Sequence, residues 1–211
     1  MANKINLNHY TMEDYVDFPD IFIESFCIIK GLSGLVNFQL WDVQKDILKQ
    51  IEGSDHIAFV KYDLSGMTTL MCGYVLWYLF THKNDTVYFV CDSQFMVKKV
   101  FDLIKLMAVN IKSELRFGSQ NILHTKNNTL LRLVHKVPKV DGDLIIVDEA
   151  DNLPKSSDLK SVIRLFKKTI LYSVVFWDKD IETEFRSLLT NECRAGKVKQ
   201  GRIMKTVLEE E

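Results

Sequence analysis

The sequence lacks most of the features that place a protein at a glance. It has three prolines in 211 residues and no repeats or low-complexity tracts, so no extended linker is expected. Its four cysteines, Cys27, Cys72, Cys91 and Cys193, lie far apart with no Cys-x-x-Cys pair. That spacing argues against a zinc site and for a reducing compartment. The apolar run 70–80 falls short of the ~20 residues that span a bilayer, and the polar, acidic N-terminus is unlike a signal peptide. A soluble, intracellular protein with no membrane partner is expected. The formal net charge of −1 leaves no general basic field for nucleic acid, so any such contact must be a local patch.

What is present is a 47% hydrophobic composition, enough for one sizeable core or a main domain with a small annex. Strand patterns over 57–60, 86–91, 143–148 and 169–176 alternate with helical patterns over 40–51, 68–80, 95–111, 158–166 and 181–193. Asn127-Asn128 marks a hairpin turn between Leu123 and Leu130. This alternation predicts an α/β, doubly wound, mainly parallel sheet with helices on both faces, which binds ligands at the carboxyl ends of its strands. Residues 39–195 read as the main domain. Residues 1–38 read as an arm packed on it, with a capping-box pattern at Thr11-Met12-Glu13-Asp14, a break at Phe18-Pro19, a helix or strand over 21–29, and a loop at Gly31 and Gly34. Residues 196–211 read as a basic, then acidic tail. Its cluster of Arg194, Lys197, Lys199, Arg202 and Lys205 can touch a DNA backbone by charge, although a solvated tail is the plainer reading.

The stretch 57–69 organises the rest. It reads as a buried strand, a tight loop, and the start of an apolar helix, the layout in which backbone N–H groups at a helix N-terminus cradle a polyphosphate. Against the pattern Gly, four residues, Gly, Lys, Ser/Thr, the loop keeps Gly66 and Thr68. Lys61 stands in place of the first glycine and Met67 in place of the lysine. Ser65, Gly66, Met67, Thr68 and Thr69 would form the cradle. Lys61, at the strand's end, can reach a phosphate from the strand side. Asp63 is out of place in such a cradle. The alternative is a decayed loop that binds no nucleotide. Just upstream, Trp41 and Gln44 open the helix before this strand. An aromatic followed by a glutamine amide suits an adenine edge. The plain alternative places Trp41 in the core and Gln44 on the surface.

The second signal is Asp143-Leu144-Ile145-Ile146-Val147-Asp148-Glu149-Ala150, an apolar strand that ends in two carboxylates. That arrangement suits magnesium–nucleotide hydrolysis. Asp148, with the Thr68 hydroxyl, holds Mg²⁺, and Glu149 polarises the attacking water. A strand reaching the surface also ends in acids for no chemical reason.

The segment 61–69 and its apolar helix resemble the variant phosphate loop of large terminase subunits, the DNA-packaging motors of tailed phages. Many of these look like Lys-Ala-Arg-Gln-Leu-Gly-Ile-Ser-Thr. The resemblance extends upstream to 34–48, similar to the family's adenine-binding segment, and downstream to 87–105 and 145–149. It implies a P-loop NTPase of the ASCE/RecA-like type that uses ATP and Mg²⁺. Gln44 would contact adenine and Lys61 the phosphates. Thr68 and Asp148 would hold the metal, and Glu149 would be the catalytic carboxylate. The implied partners are double-stranded DNA, the portal and the small terminase subunit, in a homo-oligomeric ring in the cytoplasm of the infected host. Three departures stand out. Asp63 replaces the family's loop arginine, 172–177 offers only Ser173 for the Thr/Ser-rich coupling motif, and no nuclease domain is expected after the ATPase part. Asp63, Met67 and the missing nuclease favour, as the alternative, a catalytically inactive relative that binds and regulates packaging components. A helicase-type strand separator is a third reading. Arg164, Arg186, Arg194 and Arg202 are candidate trans-acting fingers, although the plainer reading of each is a surface residue.

Overall fold

Pro19 fixes the first turn of α1 (Pro19–Phe26), where its missing N–H is no loss. Next come β1 (Ile28–Gly31) and β2 (Gly34–Asn37), an antiparallel hairpin in the place expected to be a loop. Gly31 pairs with Gly34, so the two glycines bound the turn. The chain continues through α2 (Asp42–Glu52), β3 (His56–Val60), α3 (Met67–Thr81), β4 (Thr86–Val90) and α4 (Gln94–Met107), which is capped by Ser93 Oγ. A 3-10 segment (Val109–Glu114) leads into β5 (Leu115–Phe117), β6 (Ile122–Thr125), β7 (Leu130–Val134) and β8 (Gly142–Asp148). After a 3-10 turn (Ala150–Asn152) come α5 (Leu159–Leu165), β9 (Phe166–Ser173), α6 (Glu184–Asn191) and β10 (Lys199–Gly201). This computed structural model describes residues 15–62, 65–118, 121–154, 158–175, 183–193, 196 and 198–201. The pattern at 11–14, Asp63, and the basic residues 194, 197, 202 and 205 lie outside them.

The main sheet has the order β10-β3-β9-β8-β4-β7-β6-β5, parallel from β10 to β7 and antiparallel at β6 and β5. The expected hairpin at 127–128 joins β6 to β7, and Asn128 takes a left-handed φ of 66°. Two elements differ from expectation. β9 begins at Phe166, inside the range read as helix. Lys199–Gly201, read as tail, adds β10 at the sheet's edge. An edge strand of three residues, two of them polar and exposed, carries no alternation from which to recognise it. Both strands rest on the same contact. Gly142 faces Phe166, and Gly201 faces Phe59, directly across the parallel ladder. A Cβ at these glycines would lie 2.4 Å and 2.1 Å from the respective rings. Each ring therefore occupies the space over a glycine.

Alternation along the strands produces two cores. One face packs on α3 and α4 with α1 and α2 outside them; the other packs on α5 and α6. α3 is apolar on all sides because it lies on the sheet and is flanked by α1, α2 and α4. The arm is tied down there. Trp77 Nε1 donates to the Tyr15 carbonyl at 2.7 Å, and Tyr15 packs edge-on against Phe22 and Phe26. No helix among the described residues is long and apolar enough to cross a membrane.

The hairpin turn also closes α3. Asn127 Nδ2 donates to the carbonyls of Leu79 (3.1 Å), Phe80 and His82, and Thr129 Oγ1 donates to His82 O at 2.7 Å. These carbonyls are among those that a helix end leaves without intrahelical partners. Asn127→Ala should therefore destabilise the fold by about 1–3 kcal/mol, read as a lowered urea midpoint with an unchanged m-value. An unchanged midpoint would mean that water replaces the amide without loss.

Candidate functional site

The sheet order places β9 between β3 and β8, so the ends of β3 and β8 are two strand spacings apart, ~9–10 Å. Two side chains close that gap. Lys61 follows β3, and its N–H continues the ladder to Ser173 O at 2.9 Å. Its Nζ forms an ion pair with Glu149 Oε1, just past β8. The lysine is buried, and Glu149 is mostly so. Glu149 Oε2 accepts from Ser173 Oγ (3.2 Å) and from Val174 N (3.3 Å) at the end of β9. Glu149 has φ 49° and ψ 50°, a left-handed conformation that costs a non-glycine residue ~1 kcal/mol or more. This turn holds the carboxylate against the end of β9, where Lys61 meets it.

Beside this pair, Thr68 Oγ1 donates to Asp148 Oδ2 at 3.0 Å. Asp148 is 2% exposed, and its Oδ1 has no hydrogen-bond partner among the described residues. Burial pushes its carboxyl up to about 6. Lys61 and the Thr68 hydrogen bond oppose the rise, while Glu149 and Asp92 add to it. Asp92 Oδ1 and Ser65 Oγ are likewise buried without partners among the described residues. Asp92, just past β4, was not singled out in the sequence, although the strand-end rule that indicated Asp148 applies to it equally. Asp148, Asp92, Ser65 and Thr68 supply hard oxygens, and those of Asp148 Oδ1, Asp92 Oδ1 and Ser65 Oγ have no partner among the described residues. That set fits a divalent cation retaining several waters.

The loop joins the site from the other side. Gly66 adopts φ 69° as N-cap of α3. A Cβ there would be strained and only 3.1 Å from Gln44 Nε2. Met67, the first residue of the helix, is 2% exposed and packs in the core, so it offers the loop only its backbone. The first N–H groups of α3 have no intrahelical acceptor, which suits an anion. Thr68 and Thr69 are half-buried. Gln44 is buried, and its Oε1 accepts from Trp41 N at 3.1 Å, while Trp41 itself is 62% exposed. The plain reading is thus reversed: the glutamine is inside against the loop, and the tryptophan is outside.

Of the candidate arginines, Arg186 is corrected. It is buried on α6 and bonds Asp151 through Nε and Nη2 (3.2 and 3.0 Å), so it is engaged within the chain. Thr183 Oγ1 also donates to Asp151, whose N–H donates to Ser173 Oγ. This connects α6 to the residue that holds Glu149, a link with no local signal in the sequence. Arg164 is exposed on α5.

A buried carboxylate with an unpaired oxygen opposes folding at neutral pH. The folded-state value lies above the ordinary carboxyl range, so the penalty is fully present above about 6 and absent below the unfolded value. Asp148→Asn is therefore expected to stabilise the ligand-free protein by about 1–3 kcal/mol at pH 8. The gain should fade as the pH is lowered through 6, as thermal unfolding at several pH values will show. Destabilisation at pH 8 would contradict this account of the site.

No protein-family model matches the chain, and no curated protein matches it by sequence. Its fold does match solved structures. The HK97 bacteriophage large terminase superposes with a TM-score of 0.70 at 18% identity over 86% of this chain, which spans only 42% of the HK97 chain. The large terminase ATPase domain of Thermus phage P74-26 gives 0.50 at 12% identity over 67% of each chain. The UvsW helicase from bacteriophage T4 gives 0.56 at 12% identity over 76% of this chain and 60% of that one. The mostly parallel sheet, with the loop strand separated from the carboxylate strand by one strand, is a P-loop ATPase fold, and this chain has that fold in the form seen in the phage large terminase ATPase domains.

Proposed function

We propose that the chain is the ATP-hydrolysing part of a motor that moves double-stranded viral DNA into a capsid. The observation that carries this reading is the meeting of Lys61 and Glu149 beside Thr68 and Asp148, at the N-terminus of α3. In this reading the α3 N-terminus and Lys61 bind the β- and γ-phosphates of ATP. Lys61 exchanges Glu149 for a phosphate oxygen, which frees the carboxylate to orient a water and take its proton. Thr68 and Asp148 are the residues that would hold Mg²⁺, which supplies charge neutralisation on the phosphates. Gln44 positions the adenine beside the loop, and the exposed Trp41 ring offers it a face. Residues 39–195 form the ATPase unit, with the 1–38 arm packed on it. The motor would work in the host cytoplasm as a ring with the portal and small terminase subunit, and its trans-acting arginine would come from Arg164, Arg194 or Arg202.

The core position of Met67, where the common loop has its lysine, favours a second reading: an inactive relative that binds packaging components and regulates them. Titration with labelled Mg–ATP separates the two. Lys61→Ala should weaken binding about 10–100-fold. Glu149→Gln should bind ATP more tightly than the parent, because Lys61 is released, while turnover falls ~10²-fold or more. Wild-type protein that binds no ATP, or Lys61→Ala protein that binds it normally, would leave the regulatory reading. In a parallel test, Gln44→Ala is expected to narrow the preference for ATP over GTP in competition assays. An unchanged preference would remove Gln44 from adenine recognition.

A further inference from the structure

The face of the sheet that carries α5 and α6 is covered unevenly. Those helices pack over β3, β9, β8 and the inner part of β4. Beyond them, Val134 at the end of β7 and Val137 in the loop after it still pack against that core, whereas among the described residues no helix is packed on the rest of β7 or on β6 and β5 on that side. Strand alternation places Leu131, Leu133, Leu123 and Leu115 in the opposite core, so Arg132, His124 and Arg116 all stand on the open face. The register puts Arg116 directly across from His124, and Arg132 across from Ile122, one step along the diagonal. All three basic residues are exposed, and none forms an ion pair among the described residues. At the C-terminal end of β7 the row continues into His135, Lys136 and Lys139, exposed in the loop to β8. Half-buried Ile122 and Leu130 fill the spaces between the charges.

We propose that this open face binds the phosphate backbone of duplex DNA. In a chain of net charge −1, a row of basic side chains that forms no ion pair among the described residues, with Asp158 the acidic side chain beside its Lys136–Lys139 end, is a local positive field of the kind a polyanion neutralises. The choice of duplex over single strand follows from what the face lacks. Single-strand binders stack bases on exposed aromatics, and here Tyr88 is buried under the helices while Phe117 turns to the opposite core. The surface offers charge and a flat sheet, which suits backbone contacts without base reading. The choice of DNA as the polyanion rests on the motor reading above; the surface itself does not.

The test is fluorescence anisotropy with a labelled duplex a few helical turns long, and a single strand of the same sequence, over a salt series. The wild type should bind the duplex at low salt. The Arg116→Gln/Arg132→Gln variant should lose ~10-fold or more in affinity, with the log–log salt slope reduced by about 2. Arg116→Lys/Arg132→Lys should restore binding, which excludes a folding defect. Lys98→Gln/Lys99→Gln, on α4, should bind as the wild type does. ATP binding is measured separately without DNA and should not change in any of these variants. Failure to bind duplex, an unaltered slope in the glutamine variant, or a preference for the single strand would overturn the proposal. Loss of ATP binding in the wild type with duplex binding intact would instead defeat the motor reading and leave this surface standing.

Discussion

A lysine and a glutamate from strands that are not neighbours meet over the end of the strand between them. That contact determines most of the site. Lys61 is held by the β3–β9 ladder, and Glu149 by a left-handed turn after β8 and by donors from the end of β9. Without a ligand each neutralises the other in a largely buried place, where an unpaired charge would be costly. In the proposed reading the pair is a resting arrangement. On that reading an anion arriving at the N-terminus of α3 would take the lysine, and the carboxylate it leaves behind is held by Ser173 and Val174.

Next to this satisfied pair lie three unsatisfied groups. Asp148, Asp92 and Ser65 keep buried oxygens without partners among the described residues, and burial pushes the Asp148 carboxyl up to about 6. Sites that bind ligands commonly forgo stability in this way. In the proposed reading the contrast between the paired Lys61–Glu149 and the adjacent carboxylates of Asp148 and Asp92 would separate an anion-binding side of the site from a cation-binding side.

Much of this was legible in the sequence because it is local. The strand–loop–helix at 57–69, the apolar strand ending in Asp148 and Glu149, and the helix that carries Gln44 just ahead of β3 each announce themselves by spacing and periodicity. Their convergence follows from the rule that parallel sheets bind at the carboxyl ends of strands. What was not legible depends on long-range partners. β10 is three residues long and has no alternation; it exists because Gly201 admits the Phe59 ring. Arg186 looks like any helical arginine until Asp151 is seen beside it. The arm's hairpin packs inward through Ile29 of β1 while all of β2 is exposed, so its strands show no alternation for periodicity to reveal.

The most direct test of the central claim is a crystal structure with ADP bound. The account expects Lys61 Nζ within ~3 Å of a β-phosphate oxygen, with its bond to Glu149 broken and the glutamate still held by Ser173. A bound ADP whose phosphates lie away from Lys61, with the Lys61–Glu149 pair intact, would show that the displaced lysine does not serve the phosphate loop.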